Sequence, residues 1–142
     1  MSTTAASALH TGGGCLCGAL RYTVDGTLID AGYCHCRLCQ RASGAPVVAW
    51  FTVPFPAFRY VQGTPRAYAS SGLYQRESCP ICGAPLAFRR RTAPDYIDIT
   101  IASLDEPALI APDYHIWRMS RLPWFETADR LPRHDDAGPD QA

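Results

Sequence analysis

Cys79-Pro80-Ile81-Cys82-Gly83 sits between two short runs, Tyr74 to Glu77 and Leu86 to Arg90, that read as the arms of a hairpin. A Cys-x-x-Cys turn at such a tip presents two thiolates, and zinc takes four soft donors at tetrahedral corners. The matching pair lies near the start of the chain, in Cys15-Leu16-Cys17-Gly18. In both pairs a glycine follows the second cysteine, and glycine tolerates φ > 0. The backbone can then curl around a metal and aim its N–H groups at the sulfurs. Pairing Cys15 and Cys17 with Cys79 and Cys82 makes one closed structural zinc site that ties the start of a domain to its middle. Buried, unligated thiols are the alternative, and two glycine-terminated pairs speak against it.

Working outward from this staple, the chain reads as short strands. Ala19 to Val24, Ile29 to Cys34, Ala45 to Val53, Phe58 to Val61 and Arg66 to Ala69 precede the hairpin. Val47-Val48-Ala49-Trp50-Phe51 is a continuous apolar run of the kind expected for a strand covered on both faces. Tyr96-Ile97-Asp98-Ile99-Thr100-Ile101 alternates, which places three isoleucines on one buried face. Arg37 to Ala42 can hold one or two helical turns stopped at Gly44, and no helical pattern of ten residues occurs elsewhere. The fold class is mainly β. Met1 to Gly14 is small and polar, and the stretch from Arg133 onward is acidic and then Gly-Pro. The reading is a flexible tail over 1–13, a zinc-binding domain over 14–132 and a flexible tail over 133–142.

Composition excludes several partner classes. Lys plus Arg, 13, equals Asp plus Glu, 13, so the formal net charge is zero and neither nucleic acid nor an anionic membrane is an expected partner. Arg89-Arg90-Arg91 reads as a solvated hairpin end. No stretch is long and apolar enough for a membrane span, and no secretory signal is present. The cysteines therefore belong in a reducing compartment, the cytoplasm, where seven thiols point to metal binding or catalysis rather than disulfides.

The middle group, Cys34-His35-Cys36-Arg37-Leu38-Cys39, supplies three thiolates and no fourth. Three protein ligands with an open position is the arrangement of catalytic zinc, whereas closure by His35 or His115 would make the site structural. An extended backbone turns the His35 ring away from its neighbours. Downstream, Asp113-Tyr114-His115-Ile116-Trp117-Arg118 and Arg121-Leu122-Pro123-Trp124 hold further candidates. His115 is a candidate catalytic acid or base, and the arginines are candidates to grip a carboxylate. The bland reading has Trp117 and Trp124 in the core and Arg118 and Arg121 in solvent.

These motifs occur in a recognisable order. Cys-x-Cys-Gly comes first, then Cys-His-Cys-x-x-Cys with Ser43-Gly44 after it, and then Cys-Pro-x-Cys-Gly-x-Pro-Leu. Ile101-Ala102-Ser103-Leu104-Asp105 and His115-Ile116-Trp117 follow. From about Gly14 to about Pro132 the chain resembles the glutathione-dependent formaldehyde-activating (GFA) family, which includes the centromere-protein-V-like proteins. The resemblance implies short antiparallel sheets in an Mss4-like zinc-stapled fold. It also implies two zinc ions per chain, a structural one on Cys15, Cys17, Cys79 and Cys82 and a catalytic one on Cys34, Cys36 and Cys39. The implied activity joins formaldehyde to the glutathione thiol, formally a carbon–sulfur lyase reaction in reverse, so the expected partners are a small-molecule thiol and an aldehyde. The rival is a non-catalytic zinc module that binds a small ligand or a protein partner.

Overall fold

Ten strands and one α-helix follow one another in the computed structural model, which describes residues 8–138. They are β1 (Ala8–Gly14), β2 (Arg21–Thr27), β3 (Asp30–Cys34), α1 (Arg37–Ser43), β4 (Val48–Pro54), β5 (Phe58–Gln62), β6 (Arg66–Ala69), β7 (Tyr74–Ser78), β8 (Pro85–Arg90), β9 (Tyr96–Thr100) and β10 (His115–Ile116). A three-stranded sheet has the order β1-β2-β5. A seven-stranded sheet runs β10-β3-β4-β9-β8-β7-β6. Every pairing between strands is antiparallel except β10 with β3, which is parallel.

The pleat of the large sheet sorts its side chains into two rows. Ala31, Phe51, Ile99 and Ala87 are register partners across β3, β4, β9 and β8, and all are buried. The expected isoleucine face forms as read: Ile97, Ile99 and Ile101 lie in this core with Val53 and Leu86. The small sheet packs over it through Leu9, Tyr22, Val24 and Phe58. A polar tie crosses between the sheets, since Tyr60 Oη on β5 donates to buried Glu77 on β7 at 2.8 Å. The Ile101–Asp105 motif clamps the small sheet. Tyr22 Oη meets Ser103 Oγ at 2.7 Å, Leu104 bridges Gly13, and Asp105 forms a two-pronged ion pair with Arg21.

Three sequence expectations need correction. Residues 8–13 are strand, not tail, because β1 pairs along its whole length with β2 and buries Leu9. Residues 133–138 are also held: Arg133 bridges His115, and the backbone N–H groups of Trp117 and Arg118 donate to Asp136 and His134 carbonyls at 2.9 and 3.0 Å. The remaining tail residues, 1–7 and 139–142, lie outside the described residues. Finally, β4 is not covered on both faces. Phe51 and Val53 enter the core, whereas Trp50 and Thr52 face a cavity, so the second apolar face of that run is a pocket wall.

Candidate metal centres and their cavity

Two turns build the first cysteine cluster. The chain after β1 supplies Cys15 and Cys17, and the β7–β8 turn supplies Cys79 and Cys82, so all four sulfurs lie within 4.8 Å of one another. Gly18 and Gly83 adopt φ of 82° and 80°, the left-handed region in which a side chain is strained, and each closes its turn as the sequence predicts. Backbone N–H groups of Leu20, Ile81 and Cys82 point at Cys15 and Cys79 sulfurs from 3.2 to 3.4 Å. The Cys15–Cys17 and Cys17–Cys79 sulfur separations are both 3.7 Å. A tetrahedron with metal–sulfur bonds of ~2.3 Å has edges of ~3.8 Å, so the donor set fits a zinc-sized ion. Hydrogen bonds, first from the Ala84 backbone, hold the Cys82 thiol down at about 6.

The second cluster sits where β3 runs into α1. Cys34 ends the strand, Cys36 caps the helix by accepting from Cys39 N at 3.2 Å, and Cys39 lies in the first turn. Their sulfurs also lie within 4.8 Å of one another, with Cys34 and Cys39 3.6 Å apart. No histidine, carboxylate or fourth cysteine joins them among the described residues. The three thiols compete for protons. Contact with Cys34, then Cys39, stabilises Cys36 as thiolate and holds it far below the usual thiol range, while Cys34 is pushed up. Such a set suits a cation and leaves one tetrahedral corner free.

Neither histidine closes that corner. His35 points away from the cysteines, as strand alternation requires, and its Nε2 meets His115 Nδ1 at 2.8 Å. His115 Nε2 reaches the Asp129 carboxylate at 3.1 and 3.2 Å, and its ring stacks on Tyr33. Both rings are buried, and burial lowers both pKa values, His35 to about 4. Because Asp129 only accepts, His115 donates from Nε2 and receives the His35 proton donor at Nδ1, which leaves buried His35 Nδ1 without a partner. The structure thus does not bring His115 to the cysteines, although its neighbours Tyr114 and Ile116 do face their cavity.

That cavity has a volume of about 430 Å³ and is lined by all three cysteines together with Trp50, Thr52, Arg76, Phe88, Asp98, Tyr114 and Trp117. Gly32 belongs to its floor because the Tyr114 ring passes 2.2 Å from where a Cβ would stand. Trp117 is held at φ 58°, strained for a bulky residue, by the 134–136 backbone that receives its turn. A second cavity of about 450 Å³ adjoins it and shares Leu38, Cys39, Trp50 and Arg76.

Arg76 and Asp98 are the residues that sequence reasoning missed. The Arg76 guanidinium lies 4.9 Å from the Phe88 ring centroid, and its Nη2 is 3.7 Å from Cys39 Sγ. Among the described residues it has no carboxylate partner. The arginines singled out from the sequence behave differently: Arg118 is buried in a two-pronged pair with Glu126, and Arg121 is exposed. Trp124 is 73% exposed, so it is no core residue. Asp98 receives the Thr52 hydroxyl at 2.5 Å, and desolvation raises its carboxyl to about 6. A polar position in an alternating strand signals "not core", but the pattern does not distinguish open solvent from a cavity.

The sequence profile of the glutathione-dependent formaldehyde-activating enzyme family matches residues 10–120. The chain belongs to the GFA family. Among solved structures, that of a Rhodobacter sphaeroides protein is similar, at 28% identity and a TM-score of 0.55, over 66% of this chain and 87% of the other. No curated protein matches the chain. The matched segment spans both cysteine clusters and every cavity residue named above. Within this GFA chain, then, the family's cysteine order corresponds to one four-sulfur and one three-sulfur cluster, each able to hold a metal ion.

Proposed function

We propose that this protein forms and breaks adducts between a small thiol, glutathione or a close relative, and an aldehyde such as formaldehyde. The observation that carries the reading is the three-sulfur cluster, without a fourth ligand among the described residues, opening on a cavity large enough for a drug-sized ligand. Cys15, Cys17, Cys79 and Cys82 are assigned to a structural zinc, and Cys34, Cys36 and Cys39 to a catalytic one. Zinc bound at the latter supplies Lewis acidity, favouring the substrate thiol as thiolate and polarising the aldehyde oxygen.

The protein's own residues do the rest. Arg76, beside Cys39 and without a carboxylate partner among the described residues, grips a carboxylate of the thiol substrate. Trp50 and Phe88 wall the reacting atoms from bulk water and hold the two substrates close enough to behave as one molecule. The reaction is balanced within itself: a C–S bond forms, and the thiol proton ends on the former aldehyde oxygen. His115 takes no direct part and positions β10 through His35 and Asp129. With seven free thiols, the proposed setting is the reducing cytoplasm.

Exchange NMR on zinc-loaded protein with glutathione and formaldehyde tests this reading, with the spontaneous reaction subtracted. The expected result is accelerated exchange that Cys36→Ser abolishes. Exchange at the spontaneous rate would leave a zinc module without this chemistry.

A further inference from the structure

The register of the large sheet places Asp30, Thr52, Asp98, Phe88 and Arg76 side by side across β3, β4, β9, β8 and β7. Alternation puts this row on the face opposite the buried Phe51–Ile99 row, so four of its members, Thr52, Asp98, Phe88 and Arg76, form a wall of the cysteine cavity. Among the described residues, Asp98 is the one carboxylate lining that cavity. The Thr52 hydroxyl occupies its Oδ1, and Oδ2 has no donor among the described residues.

Distance decides what Asp98 can do. Cys34 pairs with Val48, and Thr52 lies four positions further along β4, on the order of 13 Å away at ~3.3 Å per residue. Asp98 is beside Thr52. That backbone separation, within one cavity that both line, sets Asp98 to meet a second group of a ligand held at the cysteines rather than its reacting atom. Arg76 lies two strands from Asp98, roughly 10 Å across the sheet, with the Phe88 ring between them. The cavity therefore has a cationic group, Arg76, beside the cysteines and a carboxylate, Asp98, on another wall.

We propose that Asp98 selects the thiol substrate by its ammonium group, acting as a specificity-determining residue; the inference rests on the thiol–aldehyde reading. The surroundings favour a cation of this kind. A carboxylate oxygen accepts from N⁺–H, and the Trp50 and Tyr114 rings lining the cavity add aromatic surface that attracts positive charge, the Phe88 ring being covered already by Arg76 and Tyr74. A divalent ion wants six or more oxygen donors, which this wall lacks. Burial raises the Asp98 pKa most; of the groups facing it, Thr52 from β4 lowers it, Asp30 from β3 raises it, Phe88 from β8 is neutral, and Tyr114 carries its hydroxyl on Asp30 at 3.1 Å. Arg76 of β7 stands beyond Phe88. With its carboxyl at about 6, Asp98 holds an ammonium above that pH and releases it below.

The test is calorimetric binding of S-methylglutathione and its N-acetylated counterpart, neither of which has a reactive thiol, to the zinc-loaded protein. At about pH 7.5 the free amine should bind about tenfold tighter than the acetylated form, and at about pH 5 the preference should fall below about threefold. Asp98→Asn should lose the preference at both pH values with metal content and circular dichroism unchanged. If that variant does not fold, the pH comparison on the wild-type protein decides alone. Equal binding of the two ligands, binding of neither, or a preference that survives in Asp98→Asn overturns the assignment. Exchange NMR run in parallel separates the two claims: amine preference without catalysed exchange keeps Asp98 and discards the reaction, and exchange without preference does the reverse.

Discussion

At the scale of single residues, Asp98 carries a cost that a titration can expose. Its folded pKa lies near 6 against an ordinary 3.8, with burial the largest cause. The folded protein therefore keeps the proton to higher pH than the unfolded chain does. The stability linked to that proton is fully present below about pH 4 and is lost as pH rises through 6. Asp98→Asn should accordingly raise stability at neutral pH by on the order of 1–3 kcal/mol and leave it little changed near pH 3, as read by urea unfolding at both pH values. Cys36 gives the opposite kind of prediction. It is only partly buried and its role is to cap a short helix and offer a sulfur. Cys36→Ser puts a hydroxyl oxygen in place of the capping sulfur, so melting should shift by less than ~1 kcal/mol while bound zinc falls by about half. A metal analysis showing full zinc content would contradict this.

At the scale of elements, the reading of the sequence was best where a hydrophobic period met a hard stop. The β2–β9 strands and α1 lie close to where the apolar patterns and Gly44 put them, because those signals are local. β1 was not legible. Ala8 to Gly14 has one large apolar residue, Leu9, and three glycines, and it becomes a strand only because β2 offers a complete ladder of partners. This gives a concrete expectation for a truncated chain. Starting the protein at Gly14 removes buried Leu9 and uncovers part of Tyr22 and Val24, at a cost of about 2–4 kcal/mol. Thermal melting should fall by several degrees; an unchanged melting temperature would mean that β1 contributes no packing. The candidate site divides in the same way. Its cysteines announce themselves by spacing, whereas Trp50, Arg76 and Asp98 are ordinary strand residues until the register sets them in one row.

At the scale of the whole molecule, the two cysteine clusters hold the fold unequally. The four-sulfur cluster joins the end of β1 to the β7–β8 turn and borders the main core, in which Cys79 is itself buried. The three-sulfur cluster ties only the end of β3 to the helix that follows it. Chelator titration should therefore remove one zinc early without unfolding and the second only with loss of structure. Cys79→Ser should behave like removal of the second, leaving an unfolded or loosely packed chain in circular dichroism and hydrogen exchange. Simultaneous release of both metals, or a normally melting Cys79→Ser protein, would overturn this division. His115, by contrast, could not have been placed from sequence. Its ring partners, His35 and Asp129, come together only after the parallel pairing of β10 with β3 and the return of the chain to Arg133.

The four-sulfur cluster also sets a timetable. Cys17 and Cys79 are 62 positions apart, so their meeting closes a loop whose entropy is worth roughly 4 kcal/mol on the three-halves RT ln n scale. During synthesis the first cysteine pair leaves the ribosome long before the second, and until Cys82 follows, it can offer a metal only half a coordination sphere. β1 and β2 can zip together meanwhile, since their contacts are near in sequence. Locking them to the large sheet waits for the later pair and for an ion to join it. With the structural zinc proposed above, the metal supply of the cell would act on the rate at which new chains mature, as well as on the stability of finished ones.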